Sequence, residues 1–304
     1  MLGVRLATGL SMVAILLGVL WLDESMAPWY PIFFVTAMVA AGAATLEMVS
    51  LLGATMTRPS ANTALAGSLA IVVANWMPHL TEAVGLGYGP GFRIAYSPSA
   101  PVDALAWPFW TFVAVLMFAF IGQSVQFRRP GSATATIAGT ILAVAYVGLL
   151  GTFTIQARWL EGPYHGIVPL LFLVAVSKGA DTGAYTLGRI AGRHKLWPRI
   201  SPNKTIEGAV GGLIFGVLAA LIVATIVRNG LHAEGLTYLE AIGYGVVVGT
   251  AAQLGDLMES MVQRDGAQKD ASSTLPGFGG VLDVLDSLLF AGPVAFGYWL
   301  WFGA

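Results

Sequence analysis

The stretch Gly208-Ala209-Val210-Gly211-Gly212-Leu213-Ile214-Phe215-Gly216-Val217-Leu218-Ala219-Ala220-Leu221-Ile222-Val223-Ala224-Thr225-Ile226-Val227 runs for twenty residues without an ionisable side chain. As a helix it would rise about 30 Å, the thickness of a bilayer's hydrocarbon core. Eight further runs of similar character occupy residues 6–22, 31–56, 63–77, 107–125, 133–155, 167–187, 239–261 and 281–302. The fold expected is therefore an all-α polytopic membrane protein of about nine transmembrane helices. Composition agrees. Of 304 residues, 56% are hydrophobic and only 10% charged, against about 25% charged in a typical soluble domain. An ordinary soluble domain, a disordered chain and a nucleic-acid-binding module are excluded, and the net charge of −1 gives no pull toward polyanions. With no cysteine, disulfides, thiolate zinc and a thiol nucleophile are also excluded.

Orientation follows from the basic residues. With the N-terminus in the cytoplasm, Arg5, Arg58, Arg128, Arg129, Arg189, Arg193, Lys195, Arg199, Lys204, Arg264 and Lys269 fall on the cytoplasmic side. Only Arg93, Arg158 and Arg228 fall outside, and Lys178 lies within a span. The loops 78–106 and 228–238 then face outward. Ser25-Met26-Ala27 resembles a signal-peptide cleavage site, but Asp23, Glu24 and Pro28 around it favour a retained first span. Residues 1–165 read as N-terminal transmembrane helices and 166–304 as the helices and loops of a catalytic half, within one integrated membrane domain.

Ionisable groups within spans are costly and mark a site by default. Glu47 lies in the second span and Asp181 in the sixth, while Asp256, Glu259, Asp283 and Asp286 gather at the cytoplasmic ends of the last two. Asp283 and Asp286, three residues apart, share one helical face at about 5–6 Å. Two readings are open: a pair of hard oxygen ligands for Mg²⁺, or a helix cap followed by a first-turn acid. Asp256 either joins the cluster or pairs with Arg264. Lys178 and Asp181 either pair or serve a site, and burying such a pair without function is expensive. The segment Leu275-Pro276-Gly277-Phe278-Gly279-Gly280 is either a flexible connection or a backbone cradle for phosphate. In Ser201-Pro202-Asn203-Lys204-Thr205-Ile206-Glu207-Gly208, Ser201-Pro202 is expected to set a turn, with Lys204 and Thr205 ahead of an anion-favouring helix N-terminus. The alternative there is a capped helix start with a snorkelling lysine.

Together three stretches resemble the phosphatidate cytidylyltransferase (CDP-diacylglycerol synthase) family. The longest, residues 260–286, follows the family signature of Ser, Lys-Arg, Lys-Asp, Pro-Gly-His-Gly-Gly and Asp-Arg-x-Asp. The others are residues 201–208, similar to Ser-Pro-x-Lys-Thr-x-Glu-Gly, and Asp181-Thr182-Gly183-Ala184-Tyr185 taken with Gln253-Leu254-Gly255-Asp256. The resemblance covers residues 178–304, and the first half matches only as hydrophobic spans. Gln263, Phe278 and Val284 depart from the family's Lys, His and Arg.

The resemblance implies transfer of CMP from CTP to phosphatidic acid, giving CDP-diacylglycerol and pyrophosphate. It further implies Mg²⁺ on Asp256, Asp283 and Asp286, and Lys204, Arg264 and Lys269 on substrate phosphates. Ser201, Thr205, Asp181, Asp270, Gly279 and Gly280 would orient the substrates. The partners expected are CTP, phosphatidic acid and the bilayer, with a homodimer as the one protein partner considered and no nucleic acid. Short loops lean toward a bacterial inner membrane with the site facing the cytoplasm. Two rivals stay open: a related CTP-dependent lipid enzyme, such as a polyprenol or phytol kinase or a non-glyceride CDP-lipid synthase, and an ion-coupled transporter. Midplane carboxylates and repeat symmetry would favour the transporter.

Overall fold

A computed structural model describes residues 15–83, 101–128, 130–160, 166–230, 235–268, 272 and 279–303. Residues 15–24 are helical. After them come α1 (Pro31–Gly53), α2 (Ala61–Ala83), a 3₁₀ turn (Pro101–Leu105), α3 (Ala106–Gln126) and α4 (Ala133–Ala143). A π segment (Val144–Leu149) continues α4 into α5 (Leu150–Gln156), and a 3₁₀ turn (Ala157–Trp159) follows. Then come α6 (Ile167–Ala191), β1 (Lys195–Trp197), β2 (Ser201–Thr205), α7 (Ile206–Thr225), a π turn (Ile226–Gly230), α8 (Tyr238–Asp265) and α9 (Val281–Phe302).

Seven stretches among the described residues are long and apolar enough to cross a bilayer: Pro31–Gly53, Ala61–Leu80, Val102–Gln126, Ala133–Trp159, Ile167–Ala191, Ile206–Gly230 and Val281–Phe302. Large apolar side chains such as Trp110, Phe118 and Ile121 stand more than half exposed on α3, a surface that only lipid solvates well. The protein is an all-α polytopic integral membrane protein. Of the two other expected runs, 6–22 lies largely outside the described residues. The run 239–261 is helical as α8, but Glu240, Asp256 and Glu259 lower its hydropathy.

The chain divides into two compact units, Met1–Gln156 with Asp265–Val284, and Ala157–Arg264 with Leu285–Ala304. Residues 265–284 group with the N-terminal helices.

In the first unit α2 packs against α1, α3 and the π segment. Asn75, His79, Thr152 and Gln156 form one buried polar network. Asn75 Nδ2 donates to Thr152 Oγ1 at 3.2 Å, Gln156 Nε2 donates to Asn75 Oδ1 at 3.0 Å, and His79 Nε2 lies 3.2 Å from Gln156 Oε1. Such pairing is what a membrane interior demands of buried polar side chains. Asp23, wholly buried, accepts the backbone N–H groups of Ile32 and Phe33 at 3.0 and 2.7 Å and so caps α1 from a distance.

In the second unit α6 and α7 lie backbone to backbone. A Cβ added at Gly183 would run into the Gly211 carbonyl oxygen, and one at Gly211 would lie 2.6 Å from Leu187 Cβ. Small residues permit this approach, the usual basis of helix association in lipid. Phe172, Tyr244 and Trp299 pack edge-on with ring centroids 5.4 and 5.6 Å from Phe172, joining α6, α8 and α9. Gly183→Ala should cost about 1–3 kcal/mol, because the opposing atom is backbone and cannot rotate away. A lowered melting midpoint of the detergent-solubilised protein is the expected result, and an unchanged midpoint would contradict this packing.

Candidate functional site in the second unit

Residues 181, 185 and 189 recur every four positions on α6, which puts Asp181, Tyr185 and Arg189 on one face. They line a cleft of about 580 Å³ together with Ser201, Asn203, Lys204 and Thr205 of β2, Gly208 of α7, and Gln253 and Asp256 of α8. That volume lies within the range of small-molecule sites. Arg189 Nη1 donates to the Tyr185 hydroxyl at 2.9 Å, so an aromatic ring and a guanidinium form one wall.

The β2 side of the cleft is a short antiparallel hairpin in which Lys195 pairs with Thr205 and Trp197 with Ser201. Ser201-Pro202, expected to turn, lies in the strand instead. The turn comes earlier, at Trp197-Pro198-Arg199-Ile200, where Ile200 N–H donates to the Trp197 carbonyl at 3.2 Å. Pro198 has the φ that the second position of such a turn needs, so no further turn is required. Thr205 then caps α7, its Oγ1 accepting the Gly208 N–H at 3.1 Å. Glu207 is more than a first-turn acid. Its carboxylate accepts the Arg193 and His194 backbone N–H groups at 3.0 and 3.2 Å and lies 2.6 Å from His194 Nδ1, closing the base of the hairpin. Arg264 Nε donates to the Ile200 carbonyl at 3.4 Å and meets the hairpin turn rather than Asp256.

Charged groups of α6, β2, α8 and α9 meet here. Lys204 Nζ lies 2.9 Å from Asp256 Oδ1. Lys178 Nζ lies 3.1 Å from both Asp181 Oδ2 and Ser287 Oγ. Asp286, only 5% exposed, accepts the Ser287 backbone N–H and shares a hydrogen bond with the buried side chain of Glu259. It also feels the charges of Asp256, Lys178 and Asp181. Lys178 and Asp181 therefore pair with each other, and Ser287 joins the pair.

Two carboxyl groups in contact require a proton or a cation between them. Among the described residues, no three Asp, Glu or His side chains converge closely enough to hold a metal ion by themselves. Mg²⁺ commonly takes one or two carboxylates and completes its shell with water and substrate phosphates. The hard oxygen donors of Asp286 and Glu259 fit that habit.

In the first unit, Asp283 Oδ2 accepts the Gly280 N–H at 2.5 Å, the cap arrangement, and Gly279 adopts a left-handed φ of 94° beside it. Lys269, Asp270 and Phe278 lie outside the described residues. Gln263 is buried on α8. Sequence reasoning passed over Tyr185 and Arg189 as site residues, although their four-residue spacing from Asp181 was available. Glu259 stood out only as one of several acids, because nothing in sequence tells which face of α8 meets α9.

Comparison with known proteins adds to this geometry. Phosphatidate cytidylyltransferase of Staphylococcus saprophyticus is 38% identical over 154 residues, covering 51% of this chain and 55% of that protein. The proteins of the same name from Staphylococcus epidermidis strain ATCC 35984 and Staphylococcus aureus strain COL are 40% and 38% identical over equal lengths. The chain thus spans about half the length of the curated relatives it matches. A model of the cytidylyltransferase family matches much further, over residues 3–302. The chain belongs to the cytidylyltransferase family.

Proposed function

We propose that the protein transfers CMP from CTP to phosphatidic acid, forming CDP-diacylglycerol and pyrophosphate. One observation carries the reading: the 181–185, 201–208 and 253–256 stretches, distant in sequence, line a single cleft that contains both lysine and aspartate. The names of the staphylococcal relatives support the same chemistry.

In this reaction a non-bridging oxygen of the lipid phosphate attacks the α-phosphorus of CTP. The bond from that phosphorus to the bridging oxygen of the β-phosphate breaks, and pyrophosphate leaves with the electron pair. A phosphate monoester is already anionic at neutral pH, so no strong base is needed. The obstacle is repulsion between two polyanions, together with charge growing on the leaving group. Lys204, at the cleft wall, would neutralise substrate phosphate while Asp256 holds its ammonium in place. Arg189 and Tyr185 would bound the nucleotide on the α6 side. Asp181 and Lys178 would keep the acidic set aligned through Ser287. Asp286 and Glu259 would hold Mg²⁺, which when bound supplies charge neutralisation at the phosphates. A cytoplasmic placement of the cleft at a bacterial inner membrane accords with the basic residues 189–204 and with where CTP is found.

The test uses purified protein, phosphatidic acid vesicles, and CTP labelled at the α- or γ-phosphate, with and without Mg²⁺. Label from the α-position in a chloroform-soluble product, dependent on Mg²⁺, is the expected result. Transfer of the γ-label instead would assign the protein to the lipid kinases and overturn the reading.

A further inference from the structure

Glu47 stands in α1, within an apolar run where a carboxylate is costly, and is 8% exposed. Its partners lie far along the chain. Oε1 accepts the Ser272 hydroxyl at 2.6 Å and the Val281 N–H at 3.2 Å, and Oε2 accepts the Leu282 N–H at 2.7 Å. The two amides belong to the first turn of α9, whose N–H groups have no partner within the helix. The adjoining Gly280 N–H is taken by Asp283. A side chain at Gly280 would collide with Glu47, since an added Cβ would lie 2.7 Å from its carboxyl carbon.

We infer that Glu47 is a positioning residue. Its carboxyl group, at the start of α9, holds the end of the glycine-rich segment and sets the direction in which Asp283 leaves the helix. The amides of Gly280, Val281 and Leu282, which resemble a phosphate cradle in sequence, are engaged by the protein's own carboxylates. They therefore hold the segment in place and do not receive substrate. The favourable meeting of a carboxylate with a helix N-terminus, reinforced in low dielectric, gives the contact its strength.

Two measurements test this, and only the second rests on the cytidylyl-transfer reading. Amide hydrogen exchange is followed in nanodiscs for peptides covering residues 279–285, in the wild type, Glu47→Ala and Glu47→Gln. Alanine should speed exchange there by about tenfold or more, while α6–α8 remain protected. Glutamine keeps one acceptor oxygen and should give a smaller increase. Unchanged exchange in folded Glu47→Ala overturns the inference, and if that variant fails to fold, the same criterion applies to Glu47→Gln. In turnover, kcat should fall by about tenfold or more with KM for CTP held within about twofold, the pattern of a displaced but intact substrate site. A raised KM with unchanged kcat would make Glu47 a substrate-binding group and would also overturn it. Should the wild type show no cytidylyl transfer, the exchange result alone decides.

Discussion

Asp286→Asn is expected to reduce cytidylyl transfer by at least about a hundredfold while leaving the protein folded and inserted. The substitution preserves shape and an oxygen that can still accept the Ser287 N–H. It removes the negative charge that Lys178 faces from α9. It also ends the carboxyl–carboxyl contact, because an amide beside Glu259 can donate its own hydrogen and needs neither proton nor cation between the two. Mg²⁺ dependence should therefore weaken together with turnover. A variant that keeps near-normal turnover and an unaltered response to Mg²⁺ would remove Asp286 from the metal-binding set.

Lys204→Met should have a large effect by a different route. The methionine retains an apolar stem of similar length, so packing against β2 is largely kept. What disappears is the ammonium 2.9 Å from Asp256. Removing one partner of a buried charge pair commonly costs about 2–5 kcal/mol, and the partial exposure of this pair places it at the lower end. The remaining carboxylate would also repel the incoming triphosphate. CTP binding, measured by calorimetry at fixed ionic strength, should weaken by about thirtyfold or more. If affinity for CTP is unaltered while helical content is normal, Lys204 serves the hairpin and not the nucleotide.

Membrane character was legible because apolar runs are long and charge is scarce, a signal that depends on composition more than on detailed packing. Asp181, Lys204 and Asp256 were named from motif resemblance, and the three line one cleft. Local chemistry was harder to read. Ser201-Pro202 looked like a turn, and only the pairing of Trp197 with Ser201 shows that Pro198 had already made one. Asp283 offered two readings by spacing, ligand or cap, and its bond to the Gly280 N–H is not encoded in that spacing. Glu259 and Glu47 were visible as acids in apolar surroundings. Their partners, on helices remote in sequence, depend on tertiary packing that no local pattern encodes.

The link from Glu47 to Leu282 joins residues 235 positions apart, whereas Asp23 caps α1 across only nine or ten. The two contacts must therefore mature at different stages of biogenesis. Asp23 can close its contact as soon as α1 emerges into the bilayer. Glu47 is synthesised long before its eventual amides, so its contact closes only when α9 arrives.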